Sequence, residues 1–141
     1  MADFMTAAQR SAHMAKIRSK NTKPELQLRR VLHAAGFRYR LHDPALPGRP
    51  DLVFAGRRKV IFVNGCFWHG HDCPVGRRLP KSNTDFWADK RRRNQARDTA
   101  QRLRLTEMGW TYLDVWECEV AENANLVVDV AEFLECKAVE R

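Results

Sequence analysis

Two short apolar runs meet in the segment Asp51-Leu-Val-Phe-Ala-Gly-Arg-Arg-Lys-Val-Ile-Phe-Val63. Each run is rich in β-branched and aromatic residues, and Gly56-Arg57-Arg58 separates them. Short runs of this composition joined by a glycine-containing turn are typical of a β-hairpin. The segment therefore predicts two paired central strands, at 51–55 and 59–63.

The residues before this hairpin predict a helix and a further strand. After Pro24 the apolar positions follow helical spacing up to Gly36, which suits a left-handed C-terminal cap. These apolar positions are Leu28, Val31, Leu32 and Ala35. Residues 37–42 then alternate apolar and polar side chains, which is the period of a half-buried strand.

The residues after the hairpin predict a loop, a long helix, a strand and a closing helix. Residues 64–83 are rich in Gly and Pro and predict the loop. Thr84 is a candidate cap for a helix that ends near Met108-Gly109 and has a very basic exposed face. Residues 110–116 predict a buried strand, and 126–136 an amphipathic helix. The candidates for burial on the long helix are Phe86, Ala88, Leu103, Leu105 and Met108.

This order of elements predicts a single α/β domain over 1–141, with a mixed central sheet flanked by helices. No apolar run approaches the roughly 20 residues that span a bilayer, and no secretory signal is readable. We therefore expect a cytoplasmic protein without a membrane partner.

The charge of the chain favours a polyanionic partner. The formal net charge is +8, and Lys and Arg concentrate at 10–40, 57–59 and 77–104. Clustered positive charge of this size indicates nucleic acid, although a solvated basic surface is the alternative. Residues 1–23 are predicted to form a basic arm that includes a short helix. Met14 and Ile17 on this arm either enter a minor groove or pack on the body of the protein.

Cysteines and histidines are concentrated after the hairpin. Cys66, His71 and Cys73 have C-x4-H-x-C spacing, and Cys118 follows the strand predicted at 110–116. Thiolates and an imidazole in a set of four match a closed tetrahedral zinc site. His69 is an alternative fourth ligand, and the spacing does not choose between the two histidines. The competing interpretation is that these residues are core cysteines and surface histidines.

A second metal candidate is acidic. Asp51 opens a predicted strand beside a turn, where solvent and a phosphate can reach it. Glu25 in the first helix and the strand that ends at Val63-Asn64 are expected to converge on it. Mg²⁺ prefers carboxylate, carbonyl and water oxygens, and it neutralises the charge that builds on a phosphodiester during attack. We therefore predict that Asp51 anchors Mg²⁺.

Longer motifs resemble one protein family. They are Leu46-Pro-Gly-Arg-Pro-Asp51, the run from Val60 to Cys73, Phe86-Trp87, Asn94-x-x-Arg97-Asp98, and the run from Gly109 to Cys118. Together, from about Arg10 to Cys118, they closely resemble the very-short-patch repair (Vsr-type) DNA mismatch endonucleases. The resemblance implies a restriction-endonuclease-like fold, a variant of the PD-(D/E)XK nucleases, with a zinc-bound loop. It also implies nicking of one strand at a T:G mismatch left by deamination of 5-methylcytosine, which begins very-short-patch repair.

The resemblance also implies roles for single residues. The Asp51 carboxylate and the Val63 carbonyl would bind catalytic Mg²⁺, His69 would be the catalytic histidine, and Glu25 and Asp98 would support it. The implied ligands of a structural Zn²⁺ are Cys66, His71, Cys73 and Cys118.

This chain departs from the family pattern at one position. Some members have Thr-His where this chain has Val63-Asn64. A backbone carbonyl survives the change at Val63, but Asn64 cannot donate a titratable proton. His69 is then expected to act with water or metal alone, as a general base.

The aromatic residues inside the cysteine motif have a predicted use. A mismatched base step is less well stacked than a normal step, so side chains that intercalate open it at a lower free-energy cost. We predict that Phe67 and Trp68 intercalate in this way. By resemblance Trp87 is a third such ring. Alternatively, these rings close a hydrophobic core, which is the interpretation we favour for Phe86.

The remaining expectations concern partners. The basic helix face at 90–93, with Lys90 and Arg91, is predicted to bind phosphates. The resemblance implies a bacterial, nucleoid-associated monomer that acts on double-stranded DNA, in the context of a cytosine methyltransferase and mismatch-repair proteins. The alternative function is a zinc-stabilised DNA-binding module of the same fold that has lost cleavage.

Overall fold

A four-stranded mixed sheet forms the centre of the protein in the computed structural model, which describes residues 22–135. The strands are β1 (Arg40–Leu41), β2 (Leu52–Phe54), β3 (Lys59–Asn64) and β4 (Thr111–Trp116), and they lie in that order. β1, β2 and β3 pair antiparallel, whereas β3 and β4 pair parallel. The mixed α/β architecture predicted from the sequence is confirmed.

Six helices accompany the sheet in the described part of the chain. They are α1 (Lys23–Ala34), α2 (Cys66–His69), α3 (Pro74–Arg77), α4 (Thr84–Glu107), α5 (Glu117–Glu122) and α6 (Leu126–Glu135). A 3₁₀ turn, Ala55–Arg57, joins β2 to β3. None of these helices is both long and apolar enough to cross a membrane.

The predicted central hairpin is confirmed, and its strands pair antiparallel. Leu52 pairs with Ile61, and Phe54 pairs with Lys59. Arg58 ends the turn at φ 54°, in the left-handed region that a side chain rarely adopts. Its guanidinium donates to the Met108 carbonyl at 2.8 Å and lies 5.5 Å from the Trp110 ring centroid, so tertiary contacts compensate for the strain.

Several predicted elements differ from the structure. The residues predicted as a loop, 64–83, contain the end of β3 and two short helices, and α5 was not predicted. The strand predicted at 37–42 is reduced to β1. Asn83, not Thr84, caps α4, at φ 56°. The Thr84 hydroxyl instead donates to the Pro80 carbonyl at 2.8 Å, which explains why it does not cap the helix.

Two arginines are buried on α4, whereas several apolar residues that we expected to be buried there are exposed. Leu105 is buried, but Phe86 and Leu103 are 53% and 59% exposed, so those predictions were wrong. The buried positions include Arg91 and Arg102. The guanidinium carbon of Arg91 lies 4.5 Å from the Phe67 ring centroid, and that of Arg102 lies 3.5 Å from the Phe62 ring centroid. Cation–π contact and a long alkyl stem allow arginine to fill such positions.

The core has one cluster on each face of the sheet. The larger cluster is formed by Leu28, Leu32, Leu52, Phe54, Ile61, Val115, Leu126, Val130 and Leu134, and the smaller by Leu46, Val53, Val60, Phe62 and Leu105. Val31 was predicted to be apolar core but is exposed. Gly36 adopts φ 97°, as its predicted capping role requires. The predicted basic arm up to residue 21, with Met14, lies outside the described residues.

Candidate active site

The hairpin brings Asp51 to the end of β3. The Val63 backbone N–H donates to Asp51 Oδ2 at 2.7 Å. In an extended strand the N–H and C=O of one residue point to the same neighbouring strand, so the Val63 carbonyl faces the same side as Asp51. Extending the β2–β3 register by two residues sets Val63 opposite Pro50, which has no N–H to donate. The Asp51 carboxylate and the Val63 carbonyl, both of which offer oxygen ligands, thus face the same position beside the end of β3.

A carboxylate pocket, formed by Glu25, His42 and Asp51, surrounds this place. His42 Nε2 lies 2.8 Å from Glu25 Oε2 and 3.8 Å from Asp51 Oδ1. One ligand atom from each of the three residues lies within 4.8 Å of the others. Arg29, one helical turn after Glu25 on α1, forms an ion pair with that carboxylate. The pocket can hold a divalent cation, in line with the sequence prediction for Asp51.

Burial raises the pKa of Asp51 above its ordinary value. The Val63 N–H and the positive charges of His42, Arg29 and Arg102 oppose this rise. Desolvation disfavours the charged carboxylate, and a bound proton or cation relieves that cost. A bound cation would supply positive charge that compensates for the negative charge of the buried Asp51 carboxylate.

His69 forms a dyad with Asp98 from α4. Its Nδ1 lies 2.5 Å from Asp98 Oδ2. An ionised carboxylate only accepts hydrogen bonds, so in the neutral ring the proton lies on Nδ1 and Nε2 presents its lone pair. The Asn94 and Gln95 side chains donate to the carbonyls of Trp68 and His69 at 3.0 and 2.9 Å, which fixes α2 against α4. This arrangement suits a general base.

Arg102 connects the dyad with the sheet. Its Nη1 lies 3.9 Å from Asp98 Oδ1, and its Nη2 donates to Asp114 Oδ1 at 2.6 Å. Asn64 is buried and donates to the same Asp114 oxygen at 2.8 Å. The charge of Arg102 also opposes the rise of the Asp51 pKa, so Arg102 acts electrostatically on both the dyad and the carboxylate pocket.

The cysteine cluster is formed by Cys66, His71, Cys73 and Cys118, which lie within ligand distance of one another. His71 Nδ1 lies 3.8 Å from Cys66 Sγ and 3.5 Å from Cys118 Sγ. The His71 ring stacks on Trp116, with centroids 4.2 Å apart and planes at 15°. His71 therefore joins the thiols, while His69 faces Asp98. The donor set of three sulfurs and one nitrogen fits a tetrahedral Zn²⁺.

The thiols differ in acidity. Burial raises the pKa of Cys66 to about 12, and it also raises the pKa of Cys118. The Gly76 N–H donates to Cys73 Sγ at 3.3 Å and lowers the pKa of Cys73 to about 7. A Cβ on Gly76 would overlap the His71 backbone, so only glycine allows α3 to approach this closely. Cys73 is the thiol that gives up its proton to a metal most readily.

The aromatic cluster is formed by Phe67, Trp68 and Trp87. The ring centroids are 5.2 Å apart for Phe67–Trp68, 5.6 Å for Phe67–Trp87 and 5.8 Å for Trp68–Trp87. All three side chains are half-buried. Phe86, which we expected to be core, is 53% exposed, and its ring lies nearly perpendicular to Trp87 with centroids 5.2 Å apart. The three rings therefore form one partly exposed apolar surface beside His69.

The two basic residues predicted to bind phosphates lie in different places. Lys90 Nζ lies 5.3 Å and 5.7 Å from the ring centroids of Trp68 and Trp87, at the edge of the aromatic cluster. Arg91 is only 8% exposed and its guanidinium lies over Phe67, so its predicted place on the exposed helix face was wrong. Arg91 instead packs against the aromatic cluster through its alkyl stem and its cation–π contact with Phe67.

Sequence reasoning missed three residues of this site. His42 was predicted only as the end of a strand, yet antiparallel pairing of that strand with β2 carries it to Asp51, where its N–H donates to the Asp51 carbonyl at 3.3 Å. That pairing was a usable signal. Arg29 and Arg102 gave no signal, because basic residues on helices normally face solvent.

Comparison with known proteins identifies similar chains. The family model for the DNA mismatch endonuclease Vsr matches residues 2–75. A type II nicking enzyme, V.XorIIP, of Xanthomonas oryzae pathovar oryzae is 44% identical over 135 residues, which are 96% of this chain and 98% of that protein. The type II nicking enzyme V.NmeAIP of Neisseria meningitidis is 45% identical over 124 residues, 88% of each chain. The DNA mismatch endonuclease Vsr of Escherichia coli is 43% identical over 118 residues, 84% of this chain and 75% of that protein.

Proposed function

Because the chain belongs to the Vsr family of DNA mismatch endonucleases, we propose that it nicks one strand of DNA at a T:G mismatch, with Mg²⁺ as cofactor, and so begins very-short-patch repair. It is an endonuclease of DNA mismatch repair, and the T:G specificity and the metal are the proposed parts. The proposed fold is the restriction-endonuclease-like variant of the PD-(D/E)XK nucleases, with a zinc-bound loop. One domain over 1–141 is proposed to perform the reaction.

The observation that carries the proposal is the continuity of residues 63–69. Val63 contributes its backbone to the place where a cation would bind, and Cys66 begins α2 in the cysteine cluster. Phe67 and Trp68 follow, and His69 ends the same short helix beside Asp98. One uninterrupted segment thus connects the cation site, the aromatic cluster and the candidate general base.

The proposed chemistry assigns a task to each group. Mg²⁺ held by the Asp51 carboxylate and the Val63 carbonyl would stabilise the charge that develops on the phosphodiester. The unprotonated Nε2 of His69 accepts a proton from the attacking water, and Asp98 fixes the tautomer. Glu25 balances positive charge in the pocket. Asn64 takes no proton, because an amide is not a base near neutral pH; its side chain is instead hydrogen-bonded to Asp114.

The structural Zn²⁺ is proposed to stiffen the aromatic cluster. A structural zinc can contribute on the order of 10 kcal/mol of folding free energy. That energy keeps α2 ordered, so little ordering entropy is lost when Phe67, Trp68 and Trp87 enter a weakened base step. Opening a step costs a few kcal/mol, and stacking returns about 1–3 kcal/mol for each base.

The proposed partners follow from charge and family. Lys90 at the edge of the aromatic cluster, and the N-terminal arm with Met14, are proposed DNA contacts. Arg91 is proposed to contribute to DNA binding indirectly, through its contact with the Phe67 ring. A monomer in the cytoplasm of a bacterium, associated with the nucleoid and with mismatch-repair proteins, is the proposed setting.

Replacement of the cation anchor tests the proposal. We expect Asp51→Ala to abolish nicking of a T:G duplex in the presence of Mg²⁺ while duplex binding persists. Asp72→Ala is the matched control, because Asp72 is exposed and its ion pair within residues 22–135 is with Arg77, and it should nick normally. The cleavage-inactive module predicts that the unaltered chain also leaves the substrate intact.

A panel of duplexes tests the substrate. Each mismatch in turn, with matched DNA as reference, is incubated with the chain and Mg²⁺, and the nicked strand is mapped on a denaturing gel. Preferential nicking at T:G supports the proposed specificity. Equal nicking of all mismatches, or of matched DNA, contradicts it.

A further inference from the structure

We propose that His42 is a nitrogen ligand of the catalytic cation, so that the carboxylate pocket binds Mn²⁺ and similar transition-metal ions more tightly than Mg²⁺. The inference rests on the proposed function, because it concerns the same cation. It adds a ligand that the oxygen-only site built from Asp51 and Val63 lacks.

The geometry of the pocket places an imidazole among the carboxylates. His42 Nε2 lies between Glu25 Oε2 at 2.8 Å and Asp51 Oδ1 at 3.8 Å. Glu25 is 1% exposed, and His42 and Asp51 are also partly buried. Mutual separations within 4.8 Å are short enough for one ion to contact all three residues.

The neighbours of Nε2 allow it to present a lone pair. Arg29 Nη2 lies 3.4 Å from His42 Nε2, and a guanidinium can only donate. Glu25 Oε2, the ion-pair partner of Arg29, lies 2.8 Å from Nε2, and a carboxylate oxygen only accepts. The ring is therefore compatible with either tautomer, and with the proton on Nδ1 the Nε2 lone pair faces the carboxylates. In that tautomer a cation can occupy the position between Nε2 and the carboxylate of Glu25 that the ring proton holds in the other tautomer.

The backbone holds the imidazole in this position. His42 adopts φ 48°, and its N–H donates to the Asp51 carbonyl at 3.3 Å, next to the β1–β2 pair. The pairing of Leu41 with Leu52 sets the register that brings His42 to Asp51. A strained conformation held by a strand pair is consistent with a fixed ligand.

Ligand chemistry then determines the metal preference. Mg²⁺ binds oxygen ligands and rarely accepts imidazole, whereas imidazole is a common ligand of transition metals. Asn64, at the end of β3, does not supply an alternative nitrogen ligand, since an amide nitrogen has no available lone pair and this one donates to Asp114. Among the described residues near Asp51, His42 is the imidazole that contacts its carboxylate.

Electron spin echo measurements on bound Mn²⁺ test the inference without DNA and without turnover. The zinc-loaded protein is titrated with Mn²⁺, and its spectrum is examined for modulation from a coordinated ¹⁴N nucleus. We expect this modulation in the unaltered chain, with a shift to ¹⁵N frequencies when histidine is ¹⁵N-labelled. Absence of histidine modulation from the unaltered chain overturns the inference, whatever the variants do.

Two histidine variants identify the ligand. His42→Gln should lose the modulation and bind Mn²⁺ at least about tenfold more weakly, since removal of even an outer-shell partner of a metal ligand typically costs about 10- to 100-fold in affinity. Its affinity for Mg²⁺, measured by competition, should change much less. His33→Gln is the matched control, because His33 is an exposed histidine on α1. Modulation that persists in His42→Gln, or disappears in His69→Gln instead, assigns the nitrogen to another residue and contradicts the inference.

The result is separable from the proposed function. A chain that coordinates Mn²⁺ through His42 but nicks no mismatch contradicts the nicking activity and leaves the ligand assignment intact. A chain that nicks T:G duplexes with no nitrogen on Mn²⁺ contradicts the ligand assignment alone.

Discussion

Trp68→Ala separates mismatch reading from general DNA binding. In the structure the Trp68 ring contacts Phe67 and Trp87, with centroids 5.2 and 5.8 Å away, and Lys90 lies over its face. Each aromatic pair contributes about 0.5–1.5 kcal/mol beyond burial, so loss of two pairs should lower the free energy of unfolding by roughly 1–3 kcal/mol.

The effect on binding is estimated from the lost stacking. Stacking of one base on an aromatic ring is worth about 1–3 kcal/mol, so affinity for a T:G duplex should fall roughly 5- to 150-fold. Affinity for a matched duplex should change little, because phosphate contacts supply that binding.

The assay is fluorescence anisotropy on labelled T:G and matched duplexes without Mg²⁺, so that no strand is cut. It is performed at a temperature where circular dichroism shows the variant fully folded. Phe86→Ala is the control: among the described rings this exposed ring contacts only Trp87, so its removal should preserve the preference for the mismatch. Equal losses for Trp68→Ala on both duplexes would refute the stacking role of the aromatic cluster.

Three further predictions concern the metal sites and the dyad. Cys73→Ser should lower the zinc content from about one per chain, measured by metal analysis, and lower the thermal midpoint with it; full zinc content in that variant contradicts the ligand assignment. Asp98→Asn should reduce the single-turnover nicking rate by about 10²–10⁴ while T:G affinity is retained, because the His69 tautomer is no longer fixed; an unchanged rate would remove Asp98 from the mechanism. Asp51→Asn should raise the free energy of unfolding at neutral pH without added divalent cation, because burial raises the pKa of Asp51. The folded state then binds more protons than the unfolded state, so stability falls as pH rises from the ordinary pKa of 3.8 through the raised one. The difference between the two chains in urea denaturation should disappear below that window, and a variant less stable than the native chain at neutral pH would contradict it.

Regular patterns in the sequence were sufficient to predict most elements. The β-branched runs at 52–54 and 59–64 and the helical spacing after Pro24 correspond to β2, β3 and α1. These elements depend on local periodicity and burial, which a sequence carries directly. The spacing of the cysteines also indicated the cysteine cluster, but the choice of His71 over His69 came from the family resemblance.

Features that depend on distant partners were not predictable in the same way. Arg91 and Arg102 are buried because Phe67 and Phe62 lie against their guanidinium groups. Helical periodicity alone predicts that both arginines face solvent. α2 forms within a glycine-rich segment because α4 binds its carbonyls through Asn94 and Gln95. His42 enters the site only through the register of β1 with β2.

The short distance along the chain between Val63 and Cys66 has a consequence for fidelity. Only Asn64 and Gly65 separate them, and Asn64 is tied to β4 through Asp114. With so short and fixed a connection, a displacement of the rings during base-step opening is transmitted to the backbone at Val63. On the proposed function, a duplex that binds without opening leaves the reacting groups misaligned. Discrimination against correct base pairs should therefore be greater in the rate of strand cutting than in equilibrium affinity, and the two quantities should be compared on the same duplexes.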